Sequence, residues 1–458
     1  MRLIEHLSSL RKKVDLGSGP VLRTLIFLSI PSIAMVLSNT LCHLVDTIFI
    51  SWLGEVQMVA VSFTFPVQIG IFAILEGVGN GVTALVGRNL GAGRLNEARN
   101  TALAGMGFAY TLCLLWVPLM LPQVSNVFFN ALGANNPEVL RQAWLYNVWV
   151  PPTIVLISYS FIANSIFRCQ GNTIIPLIYM VITNIVNLVL DPIFIFYFGW
   201  GVGGAAAATF LGRLAGAFFI LKKLQTDSMI KVPYKPYVKA RMFKTWGKIT
   251  AIGLPVALST GSVALGMGSV NKILSGAYGH QAVAGWMVGI RVEDLAFNTI
   301  MGVQNALVPF LAFNYGRRDL PRMKEGLKSA LKIGACITGG LGLLVFLFPH
   351  PVIDLFRPSE AVAAMAVRSI RTTFIGYPAV IYSVLANGFF IATGFSAYGL
   401  MVQIVRSLIL RIAAVYYLAQ RVSVDQIWWF QPISFVGGAL LAAFFFSVLL
   451  RKLRRDME

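Results

Sequence analysis

GVGNGVTALVGRNLGAGRL, residues 77–95, returns 225 positions later as GVQNALVPFLAFNYGRRDL, residues 302–320. At that spacing Gly77, Val78, Asn80, Asn89, Gly91 and Leu95 meet Gly302, Val303, Asn305, Asn314, Gly316 and Leu320. Gly54 meets Gly279 at the same shift. Each copy ends a long apolar run and leads into an arginine-bearing turn. The chain therefore reads as two similar halves, each built from apolar helices.

Working outward, a membrane-spanning helix needs roughly 20 mostly apolar residues. That rule places spans at 24–53, 57–87, 98–121, 142–167, 173–199 and 202–222. A second set falls at 247–276, 281–312, 327–349, 362–392, 396–418 and 427–450. Several are long enough to require tilt or bending. Six spans per half is an even number, so both halves insert in the same orientation. That is a parallel repeat, an arrangement suited to alternating access rather than a simple pore. The expected fold is an all-α polytopic membrane protein of about 12 transmembrane helices in two parallel-repeat six-helix lobes.

The domains follow from this reading. Residues 1–23 form a cytoplasmic N-terminal segment, 24–224 the N-lobe, 225–246 a basic cytoplasmic linker, 247–450 the C-lobe and 451–458 a cytoplasmic tail. Composition agrees with a bilayer environment. The 458 residues are 57% hydrophobic and only 12% charged, against about a quarter charged in soluble domains. The formal charge of +19 would suggest nucleic acid in a soluble protein. Here the basic residues lie between apolar runs, so they set orientation, with anionic lipid headgroups as counter-charge.

Basic segments alternate with short or acidic ones. Arg11, Lys12, Lys13 and Arg23, then Arg88, Arg94 and Arg99, then Lys222 to Lys248, then Arg317 to Lys324, then Arg451 to Arg455 fall on one side. Glu55, Glu138, Asp354, Glu360 and Asp425 fall on the other. Both termini are expected in the cytoplasm. Trp52, Trp200, Trp428 and Trp429 are expected at outer ends and Trp246 at an inner end, as in an aromatic belt. The N-terminus lacks a signal-peptide pattern, and Leu3, Leu7 and Leu10 allow a short amphipathic surface helix. Cys42, Cys113, Cys169 and Cys336 are scattered and suggest neither disulfides nor zinc.

Ionisable residues deep in a span are costly and are functional candidates by default. Asp46 lies within the first span and Asp191 within the fifth. Asn187 precedes Asp191 by four residues and shares its helix face. Pro192 frees a backbone carbonyl one turn back. Thr209 lies in GVGGAAAATFLG, whose small residues permit close helix approach. Asp46, Asn187, Asp191 and Thr209 offer hard oxygen ligands for Na+, or a carboxyl pair for H+. A structural hydrogen bond or ion pair is the competing reading of each acid.

Arg213 shares a face with Thr209 and biases the acids toward ionisation, or is a buried ion-pair partner or cavity-edge residue. His43 shares the proton of Asp46 or simply packs. The second half has no matching acid pair: Asp46 falls opposite Asn271, and Asp191 near Ala414 at a shift of about 223 taken from Gly171 and Gly394. The ion site therefore belongs to the N-lobe. Glu293 and Asp294, close to Arg291, form a second polar cluster or pair among themselves, and Glu76 is ambiguous. Pro31, Pro66, Pro255 and Pro309 interrupt spans as kinks or hinges.

VDTIFISWLG after the first-span proline, GVGNGVTALVGRNLGAGRLNEAR, FRCQGNTIIP and NLVLDP occur in the order and spacing of the MATE (multidrug and toxic compound extrusion) transporters. The chain resembles that family from about Thr24 to Leu450, and within it the DinF-like branch. The resemblance implies drug efflux coupled to inward sodium or proton flow. It implies an N-lobe cation site on Asp46, Asp191, Asn187 and Thr209, with Tyr146 facing the cavity. A tyrosine one turn before the first acid is replaced by Cys42. The bent first span of that branch corresponds to a hinge at Pro31. The NorM-like branch uses carboxylates on spans 7 and 10, which carry none here.

The expected function is thus an antiporter exporting amphipathic or cationic small molecules through alternating access, with no cofactor besides coupling Na+ or H+. Lipids are the other expected contact, with no nucleic-acid partner, and two complete lobes can work as a monomer. A bacterial-type inner membrane is the expected location. The alternative is a flippase for a lipid-linked or amphipathic substrate, which would favour basic residues along the cavity. An intramembrane enzyme would need a converging nucleophile, base or metal cluster, and the sequence offers none.

Overall fold

The structure, a computed structural model, describes residues 14–232, 242–356 and 358–457. The amphipathic helix expected around Leu3 to Leu10 and the middle of the basic linker, 233–241, lie outside the described residues. Among the described residues the chain is helix and turn, without strand. In apolar surroundings each backbone N–H and C=O must be satisfied within its own segment, and a helix does so.

The first half contains α1 (Val21–Ser51), α2 (Glu55–Gly91), α3 (Leu95–Leu114), α4 (Pro122–Ala131), α5 (Pro137–Asn147), α6 (Val150–Cys169), α7 (Ile174–Pro192) and α8 (Gly201–Thr226). The second contains α9 (Phe243–Tyr278), α10 (His280–Gly316), α11 (Leu320–Leu347), α12 (Glu360–Ile375), α13 (Tyr377–Thr393), α14 (Ser396–Ile404), α15 (Arg411–Ala419) and α16 (Phe430–Met457). A π-helical turn, Ile193–Tyr197, extends α7, and another, Val405–Leu410, joins α14 to α15.

The repeat is visible in the helices. α2 and α10 are each 37 residues long and end at the paired Gly91 and Gly316. Both are preceded by a turn glycine of positive φ, Gly54 at 121° and Gly279 at 81°. The next helix then starts at Leu95 in one half and Leu320 in the other.

All twelve predicted segments fall on helix, but they are not twelve equal spans. Among the described residues, ten helical stretches are long and apolar enough to cross a membrane, and α12 with α13, bent by 57°, brings the number to 11. The bend sits at Gly376-Tyr377-Pro378, where proline withholds a backbone donor. The stretch 98–121 departs from expectation. α3 stops at Leu114, and a 3-10 turn, Val117–Met120, precedes α4. Pro118 and Pro122 each fix φ and remove an N–H, and Asn96, Glu97, Arg99 and Asn100 lower the apolar character of α3. Trp428 also departs: it is fully buried, whereas Trp52, Trp200 and Trp429 are exposed.

The chain packs into two units, one holding residues 34–253 with the segment up to Gly17, the other holding 18–33 and 254–458. The divisions fall inside α1, after Ile33, and inside α9, after Gly253. In the first unit, α7 and α8 lie in close contact. A Cβ placed on Gly212 of α8 would come within 2.6 Å of the Thr183 carbonyl and 3.2 Å of the Asn187 Cβ. The absence of a side chain there lets the two backbones approach, the usual device where lipid gives helices no hydrophobic reason to associate. In the second unit α10 is the central helix, with Val303, Ala306, Leu307, Phe310 and Leu311 all fully buried.

Gly212→Val should therefore separate α8 from α7. Overpacking of this kind costs about 1–3 kcal/mol. The thermal unfolding midpoint of the detergent-solubilised protein should fall, while Gly261→Val, at a position with open space around it, should leave it nearly unchanged. Equal midpoints for the two variants would refute the close-packing account.

Candidate functional site

The polar residues singled out from the sequence of the first half converge within the first unit. α1 brings Cys42, His43 and Asp46, α7 brings Asn187 and Asp191, α8 brings Thr209 and Arg213, and α5 brings Tyr146. The carboxyl groups of Asp46 and Asp191 meet within reach of a shared proton. Asp191 is completely buried, and neither of its carboxyl oxygens has a hydrogen-bond donor among the described residues. The Asp46 side chain is 19% exposed. Carboxylates only accept hydrogen bonds. Two of them face to face are held together by a proton on one or by a cation between them.

A short relay surrounds the pair. The Cys42 thiol donates to Asn187 Oδ1 at 2.9 Å, and its sulfur lies 4.0 Å from Asp46 Oδ1. Asn187 Nδ2 donates to Thr209 Oγ1 at 3.4 Å, and the Thr209 hydroxyl donates to the Ala205 carbonyl at 3.1 Å. Cys42 and Asp46 are four residues apart, as are Asn187 and Asp191, so each pair occupies one helix face. The relay thus ties the acid-bearing faces of α1 and α7 to α8. Cys42 occupies the position the resemblance assigns to tyrosine, and its thiol supplies a donor there.

Above the acids, Ile50, Val61, Ile195, Val202 and Ala205 form a buried apolar cluster against which Tyr146 packs. Tyr146 also lies against Gln68 of α2, whose Nε2 donates to Thr64 Oγ1 at 3.0 Å. His43 is peripheral: its side chain is 60% exposed and its Nδ1 is 3.9 Å from Asp46 Oδ2. Arg213 makes no ion pair among the described residues. Its guanidinium donates to Asn39 Oδ1 at 3.4 Å and lies 3.7 Å from the Met180 sulfur. A second α1–α7 link, Asn184 Nδ2 to Ser38 Oγ at 2.8 Å, lies one turn from the Cys42–Asn187 bond. Sequence reasoning missed Ser38, Asn39, Gln68 and Asn184, although a polar side chain recurring at helical spacing inside an apolar run was a usable signal.

The remaining candidates lie elsewhere. Pro31 sits inside α1, which remains helical across it, two residues before the division between units. Glu76 of α2 contributes its carbonyl to Asn80 Nδ2 at 3.0 Å. In the second unit, Asp294 is 3.9 Å from Arg291, and the Glu293 carbonyl accepts from the Tyr377 hydroxyl at 3.3 Å.

Comparison with known proteins agrees with this architecture. The chain is 29% identical over 370 residues to a FAD transporter of Shewanella oneidensis, covering 77% of this chain and 78% of that protein. It is 28% identical over 385 residues to the multidrug export protein MepA of Staphylococcus aureus, covering 82% of this chain and 81% of the relative. A solved structure of a MOP superfamily transporter from Pyrococcus furiosus superposes with a TM-score of 0.89 at 26% identity, over 97% of this chain and 99% of that one. The MatE family pattern matches residues 31–193 and 251–417, one stretch in each half. With the repeat, the apolar helices and these matches together, the chain belongs to the MatE family of membrane transporters.

Proposed function

We propose that this transporter is a secondary active exporter of small amphipathic organic cations, driven by inward flow of H+ or Na+ through the Asp46–Asp191 pair. The observation that carries the reading is the enclosed acid pair, with Asp191 fully buried and no donor on its carboxyl oxygens among the described residues. Such a pair requires one positive charge, and no ion pair among the described residues supplies it to Asp191, while the His43 ring 3.9 Å from Asp46 is largely exposed. The multidrug export of MepA supports drug-like small molecules as cargo, and the acid pair favours cationic ones. The alternation of basic segments supports cytoplasmic termini, and the bacterial relatives support a bacterial-type inner membrane.

The coupling ion binds the two acids from outside. A proton is held between the carboxyls. Sodium would use the carboxyl oxygens, with Asn187 Oδ1 and Thr209 Oγ1 as neutral oxygen donors. Neutralising the pair removes the penalty for enclosing it in an apolar unit. The conformation that encloses it is thereby favoured over the one that hydrates it. A ligand shifts such an equilibrium only through its different affinity for the two states, and here burial of the charge creates that difference. Pro31 leaves the Phe27 carbonyl without its i+4 donor, so α1 repacks there at low cost. Cargo leaves outward, and ion release inside resets the cycle.

The test is transport in proteoliposomes with a fluorescent organic cation, imposing a proton gradient or a sodium gradient separately. One gradient should drive export. Asp46→Asn and Asp191→Asn should each abolish it while the protein still elutes as a folded, monodisperse species. Silence of both substitutions would remove the acid pair from the mechanism. If neither gradient moves the dye, lipid cargo becomes the leading reading.

The relay makes a finer prediction. Cys42→Ser keeps a donor toward Asn187 and should retain coupling, whereas Cys42→Ala leaves Asn187 without it. A neutral hydrogen bond contributes about 0.5–1.5 kcal/mol, so the alanine variant should need a roughly two- to tenfold higher coupling-ion concentration for half-maximal transport. Identical ion dependence in the serine and alanine variants would dissociate the relay from coupling.

A further inference from the structure

The second unit buries charge of the opposite sign. Arg406 and Arg411 are only 7% and 8% exposed. In an α-helix, residues five apart point in different directions. Here the turn Val405–Leu410 is π-helical, with i to i+5 hydrogen bonds and a wider turn, and it brings the two arginines toward the same side. Both guanidinium carbons lie against one ring, that of Phe435 in α16, at 5.8 Å and 5.6 Å. Gly438, one turn further along α16, leaves room for the Arg406 stem: a Cβ there would lie 3.0 Å from the Cβ, Cγ and Cδ of Arg406.

The partners of these arginines do not match their capacity. Each guanidinium carries five donors. Arg406 gives one hydrogen bond, to Gln403 Oε1 at 2.9 Å, and Arg411 gives none to protein among the described residues. The Nε atoms of both are buried without a partner. Glu293 of α10 is the carboxyl group facing them. Asp294 is directed to Arg291. Gln431, also near Glu293, donates to Thr373 Oγ1 at 2.8 Å. Two buried positive charges thus face one negative charge, which leaves an excess of one positive charge inside an apolar unit.

We infer that Arg406 and Arg411 form a binding site for a phosphate group, carried by a phosphorylated cargo or by a phospholipid. Paired guanidinium forks match a tetrahedral oxyanion, whose three or four oxygens use donors that a carboxylate's two would leave idle. The Phe435 ring holds both forks in place by cation–π contact. Glu293 limits the site to weak, reversible binding, because it repels the incoming anion. The cargo role rests on the export reading above and widens its cargo from organic cations to molecules that also carry a phosphate, whereas the binding step does not depend on that reading.

Purified full-length protein in phosphatidylcholine nanodiscs should bind inorganic pyrophosphate saturably by calorimetry. Arg411→Gln and Arg406→Gln should each weaken binding at least roughly tenfold, because hydrogen bonds to charged groups are the strong class. Arg411→Lys, which keeps the charge and loses the fork, should weaken it less. Glu293→Gln should tighten binding several-fold, an effect that a purely structural charge cluster would not give. Nanodiscs containing phosphatidylglycerol separate the two sources: lost pyrophosphate binding identifies a lipid phosphodiester as occupant, and retained binding a soluble phosphorylated cargo. Absence of saturable binding in phosphatidylcholine, arginine variants that bind like the parent, or weakened binding in Glu293→Gln would each overturn the assignment. Gradient-driven dye export that persists without pyrophosphate binding would sink this inference alone, and binding that persists without export would sink only the exporter reading.

Discussion

Taking a carboxylate out of water costs several kcal/mol even after the surroundings relax, and Asp191 is taken out of water entirely. The first unit is organised around that cost. Gly212 brings α8 against α7, so Thr209 reaches Asn187. Cys42 donates to the other end of the same amide and fixes Asp46 one turn along α1. The apolar cluster around Ile50, Ile195 and Val202 keeps water from compensating the charge from that side. None of these contacts supplies the missing positive charge. They give the pair a shape without placing an ion pair on Asp191, which is the arrangement that the proposed coupling role requires.

The helix that carries Asp46 is divided between two packing environments. Its first part belongs with the second unit: Arg322 donates to the carbonyls of Ser18 and Gly19 at 2.6 Å and 2.9 Å, and Gly302 admits the backbone of Ile33. The part from Ala34 onward belongs with the first unit. The division follows Pro31 by two residues, where the helical hydrogen-bond ladder lacks one rung. The missing rung thus lies close to the boundary between the two packing environments of one continuous helix. Asp46 and Pro31 share that helix, whereas Asp191 reaches Asp46 from α7.

Much of this was legible in the sequence because a membrane imposes simple rules. Long apolar runs must be helices, so the expected segments fall largely on helix, with 98–121 broken after Leu114, and the 225-residue shift reappears as two helices of 37 residues. Asp46, Asn187, Asp191 and Thr209 stood out because polar groups in such runs are expensive. The misreadings also have physical causes. Hydropathy does not register that Pro118 and Pro122 break a run that is otherwise apolar enough. Trp428 looked interfacial because belt position was inferred from sequence distance, whereas the ring packs inward with Trp286 and Phe430. Arg406 and Arg411 escaped notice because helical spacing of 3.6 residues separates them, and only a π-turn brings them together. Applying the cost of buried charge to bases as strictly as to acids would have found them.

The two halves descend from one pattern but have acquired opposite electrostatics at related spans. α7 carries Asn187 and Asp191, while the corresponding stretch of the second half, α14 to α15, has Ala414 near the position of Asp191 and carries Arg406 and Arg411 instead. A proton or sodium ion gains nothing by entering a unit whose buried charge is already positive. On the proposed reading, coupling would be confined to the first unit by sign alone, without a size filter. The second unit is correspondingly freed from ion binding, and its arginines can be selected for what they hold. That division would let α2 and α10 stay matched at 37 residues while the buried charges of the two halves diverge: packing constrains both long helices alike, but each charged site is needed only once.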